Sequence, residues 1–491
     1  MKFSSSSAHR RLTGGAKTDG VPLTHRQAAA WCAALSACAV LAVPGTLPGL
    51  ATDARLTLAV FAFATCAWIA TPVDDTYVAL GAGLALTATG VISSETLFGT
   101  LGDATVWLLI CAFVLAAAVG RSGLAGRAAA FLVGGAGSVR QLVHLTTAAL
   151  VATAFAVPAT SGRAALALPV FLALARVLAD RARLVVMLAL LFPTVILLSA
   201  VATLIGAGAH LITVSVLWES TGEDIGFARW LLLGLPLAVA SSHLAAEVVL
   251  LTMTRRADRE GPVRITAEQL QEHTPHPVTG PLTAPEARCA LLLGTVVLLW
   301  CGEPLHQVPP AVVALIGALV AASPALGTVR LKDALSTVPW SLLLFMAATM
   351  AMGIALSVSG AARWLVSGLP GGGVPPWLFL GVVIALSTAA HLALQSRSAR
   401  SSVLVPLVVA AAGEAGVNPV AAALASTAAA GFCHTLPASA KPVALFADLP
   451  DDTPTYAPRD LLRLSLVLAP LTAALVWLFA LGVWPLLGVP L

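Results

Sequence analysis

Apolar stretches of about 20 residues, parted by short polar or charged segments, recur along nearly the whole chain, and each is long enough to cross a hydrocarbon core of roughly 30 Å as a helix. The pattern predicts spans near 29–47, 56–72, 76–93, 104–121, 183–203, 228–254, 288–302, 309–323, 339–359, 418–446 and 462–486. Two further apolar pairs, 139–178 and 375–412, are interrupted at their centres. The first is split by Pro158-Ala159-Thr160-Ser161-Gly162 and the second by Gln395-Ser396-Arg397-Ser398-Ala399-Arg400. Each reads as a re-entrant helical hairpin, because non-helical backbone at membrane depth is tolerated only where protein or a water-filled cavity surrounds it.

Each hairpin precedes a span that breaks at its midpoint. Segment 183–218 breaks at Thr203-Leu204-Ile205-Gly206-Ala207-Gly208-Ala209-His210, and 418–446 breaks from His434 through Pro437 to Lys441-Pro442. Glycines loosen the first break, while the prolines of the second remove backbone donors. A hairpin plus a broken helix, once per half, is a duplicated unit of the sort that membrane carriers build with inverted topology. The fold class expected is all-α and polytopic, with about 11 transmembrane helices plus two re-entrant hairpins in an inverted repeat. The divisions expected are a cytosolic tail (1–26), an N-terminal half (27–254), a charged, Pro-rich cytoplasmic linker (255–287) and a C-terminal half (288–491).

Composition supports this. The 491 residues are 58% hydrophobic and 10% charged, with mean hydropathy +0.92, where a soluble protein carries roughly 25% charged residues; no large soluble domain remains. The net charge of +4 does not imply nucleic acid, since basic residues in cytoplasmic loops are what the positive-inside rule predicts. Arg10, Arg11, Lys17, Arg121, Arg127, Arg140, Arg181, Arg183, Arg255 and Arg256 share one side if the N-terminus is cytoplasmic. An odd number of spans then places the C-terminus outside a bacterial inner membrane. The seven cysteines lie singly in apolar segments without CxxC spacing and read as packing residues.

Charge inside the apolar segments is the informative exception. Arg163 and Arg400 each sit six residues before a proline, Pro169 and Pro406, and a guanidinium in the membrane costs about 2.5–3.5 kcal/mol even on a lenient scale. Arg397, His210, His434 and Lys441 fall in the same four interrupted elements. Together they would make a cationic pocket, where the planar arginine fork binds carboxylate or sulfate oxygens and helix N-termini add partial positive charge. Structural alternatives stand beside this. Either arginine can pair with a carboxylate or cap hairpin carbonyls, a membrane histidine can bridge helices, and Lys441 can snorkel. His243 and Glu247, at i and i+4, read as a proton relay, half a metal site or a local pair. Cys433 and His434 are adjacent and do not face one another as a catalytic pair would. No HExxH or ordered nucleophile set is visible, so an enzyme is not expected; a membrane-embedded enzyme or sensor is the alternative class.

At these residues the chain resembles the divalent-anion/sodium symporter (DASS) family of the ion transporter superfamily. The resemblance runs from about residue 50 to the end, through the Trp-led spans at 104–135 and 339–370, the stretch Ala202-Thr203-Leu204-Ile205-Gly206, the loop ending Pro281-Leu282-Thr283-Ala284-Pro285-Glu286, and the paired hairpins. It implies a Ser-Asn-Thr triplet at each tip, where this chain has Ala159-Thr160-Ser161 and Ser396-Arg397-Ser398. Neither asparagine is present, which argues against sodium, most of all at the second tip, where a cation replaces a carbonyl ligand. Residues and resemblance together give a substrate-binding set of Thr160, Ser161, Arg163, Ser396, Arg397, Ser398, Arg400, His434 and Pro437. The coupling-ion set is Ala159, Gly206, His210 and Ser396, for sodium or, through His210 and His434, a proton; no metal or cofactor is expected. The resemblance implies a homodimeric elevator that carries a small anion of the dicarboxylate, citrate or sulfate type. An exchanger or exporter of another oxyanion such as arsenite is the alternative within the superfamily.

Overall fold

The computed structural model describes residues 49–272, 277–367, 374–450 and 453–491; the tail and the span expected at 29–47 lie outside them. Every other predicted span is occupied by helix, and no strand occurs among the described residues. The principal helices are α1 (Thr52–Ala70), α2 (Asp75–Ala88), α3 (Ala104–Ser122), α4 (Leu124–Val133), α5 (Val139–Ala152), α6 (Thr160–Val177), α7 (Ala182–Leu198), α8 (Gly208–Thr221) and α9 (Phe227–Met253). The second half continues with α10 (Ala284–Cys301), α11 (Pro310–Ala321), α12 (Trp340–Val358), α13 (Pro376–Ala389), α14 (Arg397–Glu414), α15 (Pro419–Ala429), α16 (Lys441–Ala447) and α17 (Pro458–Leu478).

Eight described helical stretches are long and apolar enough to cross a membrane, and four apolar helices are shorter. Three of those four belong to the interrupted elements: the first arms α5 and α13, and α15. Their shortness marks where helix gives way to irregular backbone. α5 and α6 form the first hairpin, α7 and α8 the first broken helix, α13 and α14 the second hairpin, and α15 and α16 the second broken helix.

Internal symmetry is visible in the packing. α2, which precedes the Trp-led α3, packs on α12; α11, which precedes the Trp-led α12, packs on α3. α3 and α12 are each followed by a left-handed glycine, Gly123 (φ 78°) and Gly360 (φ 73°), a conformation in which a Cβ would be strained. α4 starts directly beyond Gly123.

Two apolar cores result. One joins α1–α3, α8, α12, α14 and α15; the other joins α5–α7, the end of α9, α16 and the start of α17. In the second, Phe171, Phe192 and Phe446 meet with ring centroids 5.3–5.6 Å apart, Phe171 edge-on to the other two, and tie α6, α7 and α16 together. α7 is buried along almost its whole length, so this span is enclosed by protein and carries the first hairpin against it.

Candidate functional site

The first break opens earlier than its glycines suggest, at Ser199 rather than Thr203, with short 3₁₀ turns at Ser199–Ala202 and Leu204–Gly206. The cause lies in the arginines. Arg163 donates from Nη1 to Ile196 O (3.0 Å) and Arg397 donates from Nη1 to Leu197 O (3.5 Å). Two carbonyls at the C-terminal end of α7 are thus capped by cations, the favourable sign for that end of a helix.

Arg163 makes three more bonds, from Nε to Thr153 Oγ1 (2.9 Å) and from Nη2 to Leu150 O (2.7 Å) and Ser199 Oγ (2.7 Å). It is wholly buried and does not line the cavity described below. The sequence placed it in the substrate site. The structure places it behind the first tip as a staple between α5, α6 and α7, the carbonyl-capping alternative.

The cavity, about 360 Å³, falls within the usual range for small-molecule sites of roughly 300–1,000 Å³. Thr160 and Ser161 from the first tip line it, as do Ser396, Arg397, Ser398 and Arg400 from the second, and Ser439 and Lys441 from the second break. Ala159 lines it as well, at φ 66°, ψ 137°, an angle pair that costs a non-glycine residue about 1–3 kcal/mol. The N-terminal ends of α6, α8 and α14 converge here, with their unpaired N–H groups and positive dipole ends.

Arg400 is the central feature. Its side chain is 0% exposed. Nη1 donates to Phe432 O at 3.4 Å, while Nε and Nη2 have no acceptor. Among the described residues no carboxylate pairs with Arg163, Arg397 or Arg400.

Arg397 is also held loosely. Its Nη2 meets His210 Nε2 at 3.1 Å, and its Nε has no partner. His210 is buried, stacks on Trp230 with centroids 4.8 Å apart, and contacts Thr203 O through Nδ1 at 3.0 Å. A carbonyl can only accept, so Nδ1 carries the hydrogen and Nε2 accepts from Arg397. A proton added at Nε2 would set two donors face to face. His210, expected in the coupling-ion set, does not line the cavity and here accepts from Arg397.

Three other predicted site residues stand off the cavity wall. His434 is buried against Phe432 and accepts from Cys433 N at 3.4 Å. Pro437 opens a 3₁₀ turn, Pro437–Ser439, behind Ser439. Gly206 sits where a Cβ would lie 2.1 Å from Ala200 O, so close backbone packing accounts for it. Gly206→Ala is expected to lower the unfolding temperature of the detergent-solubilised protein, with a cost of about 1–3 kcal/mol for overpacking.

Sequence reasoning missed several participants. Asp74 and Asp75, at the start of α2, line the same cavity; the signal was a pair of acids opening an otherwise apolar span. His391, at the end of α13, contacts Thr388 O (2.5 Å) through Nδ1 and Thr435 Oγ1 (2.8 Å) through Nε2, and so joins the second hairpin to the second break. His243 and Glu247 do not pair with each other. Both meet His144 of α5, at 2.8 and 2.7 Å, and Arg140 adds a 2.8 Å bond to Glu247. Lys441, expected to snorkel if it was not functional, stands at the cavity.

The family model described as citrate transporter (CitMHS) matches residues 65–429. A relative from Cupriavidus necator, described as a membrane protein, is 26% identical over 481 residues, covering 91% of this chain and 90% of that one. Among solved structures, the fold is similar to the YdaH transporter of Alcanivorax borkumensis (TM-score 0.54, 18% identity, 95% of this chain and 99% of that one). It is also similar to MtrF of Neisseria gonorrhoeae, described as illuminating a class of antimetabolite efflux pumps (TM-score 0.55, 13% identity, 91% and 97%). At these identities the two structures bear on fold alone.

Proposed function

Since this chain belongs to the citrate transporter family, a family of membrane transporters, we propose that it carries citrate or a similar small multivalent anion through the cavity between its two hairpin tips. The observation that carries this reading is Arg400, a buried cation with two donors aimed at no protein acceptor. An uncompensated buried charge is strongly unfavourable, and a bound carboxylate supplies the missing partner in the bidentate geometry that guanidinium prefers. The hydroxyls of Thr160, Ser161, Ser396 and Ser398, with the amides opening α6 and α14, complete a site for an anion with several oxygens.

The reading includes an elevator-like movement of both hairpins and both broken helices as one body. Bonds that cross these elements support it: Arg163 to Ile196 O, Thr203 Oγ1 to Ala154 O (2.9 Å), Thr213 to Thr427 (2.6 Å) and Ser387 to Ser426 (2.9 Å). A homodimer in a bacterial inner membrane, with the N-terminus cytoplasmic, is part of the same proposal.

Radiolabelled uptake into proteoliposomes tests it, with citrate, succinate and sulfate offered under sodium and pH gradients in turn. Citrate or succinate uptake that a sodium gradient leaves unchanged is the expected result. The absence of both uptake and binding for all three anions ends the reading.

A further inference from the structure

Asp75 lines the same cavity as Arg397 and Arg400. It opens α2, which packs on α12, and the start of that helix is pinned: Thr76 Oγ1 donates to Ser341 O (3.0 Å), Trp68 Nε1 donates to Asp75 O (3.1 Å), and the Asp74 carboxylate accepts from Thr76 N (2.9 Å). Asp74 is therefore occupied as the helix cap. The Asp75 side chain has no such duty, and it lines the cavity together with Ser396 and Lys441. The fixed charges around the cavity are Arg397, Arg400, Lys441, Asp74 and Asp75.

A carboxylate in this place shares one cavity with the hydroxyl and the cations that a carboxylate substrate would use. We propose that Asp75 is a built-in competitor of the substrate: its charge lies in the same cavity as Ser396, Lys441 and the two arginines, and an incoming anion must share them with it. This rests on the anion-carrier reading above and adds to it a residue that limits affinity. Two consequences follow from charge alone. Removing the carboxylate abolishes both a competitor and a like-charge repulsion, so anions bind more tightly. The gain grows with the charge of the anion, because repulsion scales with the product of the charges.

The experiment is equilibrium binding of radiolabelled citrate and succinate to the purified full-length protein. Asp75→Asn is expected to bind citrate about tenfold tighter, with a smaller gain for succinate. In an Asp75→Asn/Lys441→Gln protein the gain over Lys441→Gln alone is expected to shrink, because the contested cation is gone. Asp74→Asn, which keeps the helix cap, is the control for a general loss of negative charge. Where Asp75→Asn does not fold, Asp75→Ser replaces it.

Unchanged or weaker citrate binding in both Asp75 variants, with binding still lost in Arg400→Met, overturns the competitor and leaves the anion site standing. Equal gains in Asp74→Asn and Asp75→Asn overturn it too, since long-range charge then accounts for the effect. Wild-type protein that binds neither anion brings down both readings.

Discussion

Arg400→Met is expected to unfold at a higher temperature than the wild type and to bind citrate about ten- to a hundredfold more weakly. The two effects have opposite signs because they have one cause. In the empty protein the guanidinium is fully buried, bonded only to Phe432 O at 3.4 Å, with Nε and Nη2 unsatisfied. Exchanging buried charge for an apolar chain of similar size is often neutral or stabilising, by about 1–4 kcal/mol for groups that were paired, and an uncompensated charge has less to lose. Binding loses a charge-assisted hydrogen bond worth about 1.5–3 kcal/mol. Arg400→Lys keeps the charge but not the fork and should recover only part of the affinity. Thermal unfolding and equilibrium binding on the same preparations check the pair. A destabilised Arg400→Met protein with native affinity would make Arg400 structural.

Arg163→Met should behave in the reverse way. Four of the five N–H groups of its guanidinium are spent on Thr153 Oγ1, Ile196 O, Leu150 O and Ser199 Oγ at 2.7–3.0 Å, and the side chain does not line the cavity. Removal leaves the Thr153 and Ser199 hydroxyls bonded to Leu150 O and Val195 O, but it deletes four hydrogen bonds to a charged donor. Each is worth about 1.5–3 kcal/mol, so the sum approaches the whole stability of a typical domain, about 5–15 kcal/mol. Little folded protein is expected in detergent extracts by size-exclusion chromatography. The folded fraction that is recovered should bind citrate with near-native affinity. Well-folded protein that has lost citrate binding would return Arg163 to the substrate site.

In the sequence these two arginines occupy matching positions, with a serine two residues ahead and a proline six residues on. That periodicity revealed both hairpins and both broken helices, because apolar runs and their interruptions are local properties. What each guanidinium meets is not local. Arg163 finds acceptors at the ends of both α5 and α7, whereas Arg400 finds one distant carbonyl from the stretch after α15. His210 illustrates the same limit: a histidine in a membrane segment invites a protonation role, and only the opposing Thr203 carbonyl and Arg397 guanidinium reveal which ring nitrogen holds the hydrogen. Asp74 and Asp75 were overlooked for a different reason. Acids at the end of an apolar span look like its water-facing cap, and that they line one cavity with the arginines depends on how α2 lies against α12.

The unequal anchoring of the two tips bears on how a solute gets in. Four short bonds from Arg163, just beyond the loop at Pro158–Gly162, weld the second arm of this hairpin to its first arm and to the end of α7, so this jaw cannot flex without unravelling its support. The opposing jaw hangs on contacts of 3.1 to 3.5 Å and keeps spare donors on both of its arginines. A guest entering between them would press against an anvil on one side and recruit a pliant clamp on the other, so closure around it should be lopsided although both sides are built from the same kind of hairpin.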